Sequence, residues 1–205
     1  MNPSPVLDAS KVDAFAGGAS FTLGNRLERI AWILAWSLLA AWTPAPLHRW
    51  RRLLLRAFGA KLARGVHVYG SARVWLPRNL EMGEKSTLGP YAICYNQGHV
   101  KIGAYVVVSQ YAHLCASSHR IDDPDFQLVL RPITIHDRVW IAADAFVGPG
   151  VTVGTRAVLG ARGVAMKSLE AGTVYSGNPA IPIRRVADWD ADGSPPLSLA
   201  HFSLK

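Results

Sequence analysis

Apolar residues recur at every sixth position over much of this 205-residue chain. The period runs Leu62, Val68, Val74; then Met82, Leu88, Cys94; then Ile102, Val108, Leu114; and then unbroken from Ile135 through Ile141, Val147, Val153 and Leu159 to Ala165. Glycine follows six of these positions (Gly83, Gly89, Gly103, Gly148, Gly154 and Gly160). The fifth residue of each unit is usually small, as at Ala72, Ala92, Ala112, Ser118 and Ala145. A fixed period marks a stacked repeat, in which no unit can bury its apolar side alone and stability is a sum over neighbours. Three units make one coil of a parallel β-solenoid, so the blocks 62–79, 82–99, 102–119, 135–152 and 153–170 predict five coils. The first residue of each unit is expected to point inwards and stack on its equivalent one coil away. The small fifth residue fits beside it, and glycine is expected to supply the tight corner or positive φ that a turn needs. Sandwich strands with glycine-rich turns would share the β-branched composition, but have no reason to hold a period of six from Ile135 to Ala165. The expected fold class is therefore all-β. The period does not give the hand of the coil, and parallel crossovers in general are right-handed.

Ahead of the repeats the pattern changes. Residues 23–58 read as helical: Asn25 is placed to cap a first helix reaching Trp42, Pro44 and Pro46 break it, and a second helix from Leu47 to Phe58 stops at Gly59. Two readings of this segment stay open. Trp32, Trp36 and Leu39, at i, i+4 and i+7, form a face that can cover an end or side of the solenoid. Alternatively the segment lies on a membrane surface, with Trp32, Trp36, Trp42 and Trp50 at the headgroups and Arg26, Arg29, Arg49, Arg51, Arg52 and Arg56 facing anionic lipid. Its longest uncharged run, Ile30 to Trp42, is shorter than the roughly twenty residues that span a bilayer. Residues 1–22 are small and polar, without the basic start and apolar core of a signal peptide. The solenoid is assigned to 59–186, and 187–205 form a Pro-containing polar tail expected to be disordered.

The net charge of +8 suits anionic lipid or a phosphorylated ligand. Nucleic acid is not expected, because no binding motif is present and the arginines are dispersed through the repeats. Cys94 and Cys115 fall on first and second unit positions, suggesting neither disulfide nor metal site, and suit a reducing, cytoplasmic compartment. No pair of histidines has metal-ligand spacing, so no metal is expected. His67, His99, His113 and His136 occupy outward positions, and His48 and His201 lie outside the coils.

His119 differs. It ends the third coil, directly before the one long insertion, Arg120 to Thr134. A neutral imidazole exposed where the chain leaves the prism can accept a hydroxyl proton near neutral pH. The adjacent Asp122, Asp123 and Asp125 read either as a turn-rich loop or as carboxylates, Asp122 and Asp125 among them, that orient His119 or contact an acceptor hydroxyl.

Four segments carry a resemblance: WRRLLLRAFGAKL (50–62), ASSHRIDDPDF (116–126), PITIHDRVWIAADAFVGPGVTVGTRAVLGA (132–161) and VYSGNPAIPIRR (174–185). Over residues 23–186 the chain resembles the hexapeptide-repeat acyltransferases, and most of all the colanic-acid or exopolysaccharide-biosynthesis O-acetyltransferases, relatives of the maltose, galactoside and nodulation-factor acetyltransferases. The resemblance implies a left-handed parallel β-helix, a homotrimer, and acetyl-CoA held in the groove between subunits. It implies His119 as general base in a direct transfer to a sugar hydroxyl, without a covalent enzyme intermediate. Asn96, in CYNQG, matches a residue placed to bind the acceptor, although a turn asparagine before Gly98 fits as well. Trp140 matches a tryptophan that packs on the pantetheine arm, the Ala142 N–H a donor facing the thioester carbonyl, and Ala161 a further backbone contact. Lys167 and Arg184 match basic residues near the CoA phosphates. The family often has a basic residue where this chain has Ile181, and commonly Thr where it has Met166. Two other readings keep the same coil: an N-acetyltransferase of an amino sugar or a serine acetyltransferase, and a catalytically silent scaffold. The implied acceptor is a sugar or glycan, lipid-linked if residues 23–58 meet the inner membrane.

Overall fold

The computed structural model describes residues 20–187. The repeats wind into a parallel β-solenoid of about six turns with three faces. The first face stacks the strands Lys61–Leu62, Leu80–Met82, Val100–Ile102, Ile133–Ile135 and Thr152–Val153. The second stacks His67–Val68, Thr87–Leu88, Val107–Val108, Trp140–Ile141, Val158–Leu159 and Thr173–Ser176, and ends in Ile181–Arg185, which runs antiparallel. The third stacks Arg73–Val74, Ile93–Tyr95, His113–Cys115, Phe146–Val147 and Val164–Ala165.

The register follows the sequence period. Leu62 pairs with Met82, Met82 with Ile102, Ile102 with Ile135 and Ile135 with Val153, so first-position residues form a continuous apolar column. All fifteen first-position residues are buried. The long insertion does not break the column, because it leaves and rejoins at the same corner.

Three expectations change. First, the solenoid has about six turns where the period predicts five. Leu169 bridges Val153, and Tyr175 pairs with Leu159. Leu169 follows Ala165 by four positions, not six, so the count of six fails although the stacking continues. Second, positive φ falls mostly on the fourth residue of the unit and on residues other than glycine, including Lys85, Tyr91, Tyr105, Arg138, Asp144 and Arg156. The second-position glycines serve close approach: a Cβ on Gly83 would lie 2.5 Å from the Ala104 nitrogen of the next coil. Third, Ser118 is exposed, while Ala116 and Ser117 are buried, because the chain leaves the prism one strand early.

The N-terminal segment folds as α1 (Leu23–Leu39) and α2 (His48–Ala57), with a short 3-10 turn at Ala45–Leu47 between them. Thr22, not Asn25, caps α1: its Oγ1 accepts from the Asn25 N–H at 3.3 Å. The helix ends at Leu39, three residues before Trp42. Trp32 and Trp36 are buried against the solenoid, where their indole N–H groups donate to the Val74 and Gly70 carbonyls at 2.8 and 3.1 Å. Leu39 is exposed, and Ala40 fills the position expected of it.

Arg51, which the membrane reading places at a lipid surface, is wholly buried. Its guanidinium donates to the carbonyls of Val68 at 2.6 Å, Pro44 at 3.0 Å and Ala45, and to Thr43 Oγ1 at 2.7 Å. The side chain therefore ties α2 and the inter-helix turn to the solenoid. Residues 1–19 and the tail 188–205 lie outside the described residues, so the irregular N-terminus and most of the disordered tail expected from sequence lie there too.

Candidate active site

Past the third-face strand His113–Cys115, the chain runs out as Ser117–His119, turns, and returns as Leu128–Leu130 in an antiparallel hairpin. His119 stands at the outer end of this pair, opposite Leu128, and is exposed. Its Nδ1 lies 2.5 Å from the Phe126 carbonyl across the loop. A carbonyl only accepts, so Nδ1 carries a proton, and in the neutral ring Nε2 then keeps its lone pair. The hairpin thus fixes both the ring and its tautomer. The loop holds this geometry through backbone bonds from Arg120 N to Gln127 O at 2.9 Å and from Phe126 N to Asp123 O at 2.9 Å.

Two clefts meet at His119. One, of about 420 Å³, lies between the imidazole and the start of α1, and is lined by Phe21, Arg26, Arg29, Tyr95, Gln97 and Cys115 among others. The other lies on the loop side, with Arg120, Asp122, Asp123 and Arg131 around it. Asp125 lines neither cleft; its N–H is held by Asp123 Oδ1 at 3.0 Å. Of the two carboxylates expected near the acceptor, Asp122 alone is brought to His119.

Asn96, expected at the acceptor, is fully buried. Its Oδ1 accepts from the N–H groups of Trp75 at 3.0 Å and Leu76 at 3.2 Å, and its Nδ2 donates to Leu76 O at 2.7 Å. With both ends of the amide engaged in joining two coils, it is a structural clamp beneath the cleft. The next residue, Gln97, reaches the cleft instead. Its only sequence signal was its place in the same CYNQG segment. Arg26 and Arg29 face lipid in one of the two sequence readings of this segment; the burial of Trp32 on the same helix stripe turns them to the cleft.

The remaining expected residues lie elsewhere on the prism. Trp140 is half exposed on the second face, its indole N–H donating to Ser109 Oγ at 2.9 Å. Beyond it on that face come Val158 and Val174, with Arg184 paired to Val174. Lys167 is exposed after the third-face strand Val164–Ala165. The Ala142 N–H is not available to a ligand, because it donates to Leu159 O at 2.9 Å within the ladder. The N–H groups of Ala143 and Ala161, stacked one coil apart at the same corner, have no acceptor among the described residues. Neither cleft at His119 contains Trp140, Ala142, Ala161, Lys167 or Arg184.

Cys94 is locked in the core, where burial pushes its thiol up to about 12. Cys115 lies on the cleft wall, with its Sγ donating to Ser117 O at 3.4 Å. Among the described residues no group of three or more His, Cys, Asp or Glu side chains is placed to hold a metal ion.

No family model matches the chain. It is 38% identical over 173 residues to the colanic acid biosynthesis acetyltransferase WcaF of Escherichia coli, covering 84% of this chain and 95% of that one. Among solved structures, the maltose O-acetyltransferase of Clostridium difficile superposes with a TM-score of 0.72 at 24% identity, over 82% of this chain and 90% of the other. The galactoside acetyltransferase in complex with coenzyme A superposes with a TM-score of 0.71 at 20% identity, over 90% and 92%. These two share the fold; the identity and coverage of WcaF carry the kinship. A six-residue period wound into a three-faced parallel solenoid, together with that kinship, makes this chain an acetyltransferase of the hexapeptide-repeat family, in the branch of WcaF.

Proposed function

We propose that the protein transfers the acetyl group of acetyl-CoA to a hydroxyl of a saccharide, in the assembly of an exopolysaccharide of the colanic-acid kind. The observation that carries this reading is the His119–Phe126 hydrogen bond, which leaves a lone pair on an exposed ring nitrogen at the junction of two clefts. In this reading Nε2 takes the acceptor proton as the oxygen attacks the thioester carbon, and the imidazolium then protonates the departing CoA thiolate. The Phe126 carbonyl stabilises that imidazolium through Nδ1–H. Transfer is direct: Cys94 is sealed in the core, and the Cys115 hydrogen is engaged with a carbonyl.

Acetyl-CoA lies along the second face. Trp140 offers an exposed aromatic surface to the pantetheine arm, Ala161 a free backbone donor, and Arg184 and Lys167 exposed cations to the phosphates. With Ala142 committed to the ladder, the free N–H of Ala143 takes the oxyanion role, on rigid backbone that needs no reorganisation. Trp140 and Arg184 sit on a different face from the His119 clefts. A homotrimer accommodates this, because the base of one copy then meets the CoA groove of its neighbour.

The outward side of α1 supports contact with a membrane surface. Leu23, Leu27, Ile30, Leu34 and Leu38 form an exposed apolar row. Trp42, Trp50 and Leu53 extend it onto α2, with Arg49 and Arg56 exposed alongside to meet anionic headgroups. No helix among the described residues is long and apolar enough to cross a membrane.

An acceptor screen with acetyl-CoA, followed by mass analysis, tests the reaction. Products heavier by one acetyl group and labile to mild base, as esters are, support O-transfer. Base-stable amides, or acetyl-CoA hydrolysis alone, overturn it.

A further inference from the structure

The cleft between His119 and α1 has a marked charge. Among the described residues no acidic side chain lines it, while α1 turns two arginines, Arg26 and Arg29, into it. They stand three residues apart, and three further on is Trp32, whose burial and hydrogen bond to Val74 O fix the rotation of the helix. The Arg29 guanidinium lies over the Trp75 ring, with Cζ 4.1 Å from the ring centroid. A cation–π contact of this kind holds the fork in place. Its Nε has no exposed surface and no hydrogen-bond partner. The one carboxylate of α1, Glu28, is spent on Arg78 at 2.7 Å. Arg26 is exposed and has no ion pair among the described residues. On the same wall the Gln97 amide uses one end on the Tyr95 hydroxyl at 2.8 Å and leaves the other buried and unpaired.

A preorganised guanidinium, a second one nearby, an unpaired amide and no competing acid are the parts of an anion subsite with a polar group beside it. A neutral glycan would leave both cations unpaired in the cleft. We propose that Arg26 and Arg29 form an anion subsite in the acceptor cleft, so that the saccharide acetylated at His119 carries a phosphate or carboxylate, with Gln97 hydrogen-bonding a neighbouring hydroxyl. This rests on the reading of that cleft as the acceptor side, and names the chemical class of the acceptor. The shared chemistry is an oxyanion on the sugar: a phosphate ester, as in an activated glycosyl donor or lipid-linked intermediate, or the carboxylate of a uronic acid.

Binding tests this without requiring turnover. Glucose 1-phosphate, methyl glucuronide and methyl glucoside are titrated calorimetrically into the CoA-loaded protein and its variants. At least one of the two anionic sugars binds about tenfold or more tightly than methyl glucoside, and which of them does so identifies the source of the anion. In the Arg26→Gln/Arg29→Gln protein the ratio of dissociation constants falls towards one, and raising the salt concentration reduces it in the wild type. Arg26→Gln alone, at an exposed position that bears no packing, lowers the ratio in part and keeps the test independent of any folding defect at Arg29. His119→Ala retains the preference, which separates failure of this subsite from failure of the transfer reaction. Equal affinity for all three sugars, binding of none, or a preference that survives the double substitution overturns the proposal.

Discussion

The polar residues at the corners of the coil do work that a count of six does not assign. Asn96 and Leu76 occupy matching positions in successive coils, and the asparagine amide satisfies the backbone of the coil beside it. The period identified the buried column from Leu62 to Ala165 because apolar side chains reveal their direction. A buried asparagine looks from sequence like an exposed one, so Asn96 stayed open between an acceptor contact and a turn residue. The burial of Arg51 was equally hidden: most of its partners are main-chain carbonyls, which have no signature in the side-chain sequence. His119 stood out because it ends the period, whereas the Nδ1–H contact on which its proposed role as base depends needs the Phe126 carbonyl, which only the folded loop provides. Two other histidines bear on stability. Burial lowers the pKa of His113, which packs edge-on to Tyr95 and Phe146. Burial, aided by the charge of Arg51 and outweighing the hydrogen bond to Val68, lowers that of His48. Both folded values lie below the ordinary one of about 6.5, so on acidification the unfolded chain takes up these protons first. Their contribution is complete above about pH 6.5 and is lost as pH falls through the folded values. Melting temperature therefore drops between about pH 7.5 and about pH 5.5, and drops less in His113→Phe; an unchanged slope in that variant counts against the assignment.

At the scale of elements, the coils were read more accurately than the helices that lie on them. Strand positions follow from period and register, and only the sixth turn escaped, where a step of four positions replaces six between Ala165 and Leu169. The helices were found, but their role was left between packing and a membrane. Their two faces differ: Trp32 and Trp36 seal the solenoid, while Leu27, Leu34 and Leu38 face outwards. Sequence periodicity placed these residues on a helix; it took the solenoid's Gly70 and Val74 carbonyls to show which stripe is inside. In vesicle flotation with anionic phospholipid, the wild-type protein is expected to float and Leu27→Glu/Leu34→Glu to remain at the bottom, with an unchanged melting temperature. Flotation of both proteins alike would remove the membrane reading and leave the apolar row to another occupant.

At the scale of the whole molecule, the residues proposed for the base and for the CoA groove lie on different faces of one chain. His119 and the arginines of α1 surround the clefts beyond the third face, and Trp140 and Arg184 occupy the second. The sequence named residues of both sets but could not reveal their separation, because a linear motif carries no information on which face of a prism it meets. If neighbouring copies complete one centre, two defective proteins can complement each other. His119→Ala and Trp140→Ala, unfolded and refolded together in equal amounts, are expected to recover about one quarter of wild-type activity, the fraction of sites pairing an intact base with an intact groove. No gain over the separately refolded variants would place the complete site within one copy. The central claim is that His119 is the base for acetyl transfer, and it is tested most directly by replacing that side chain alone. In His119→Ala, kcat for acetyl transfer to the saccharide is expected to fall by about 10²–10⁴-fold, with acetyl-CoA still bound at wild-type affinity. Turnover at the wild-type rate in that protein would contradict the account.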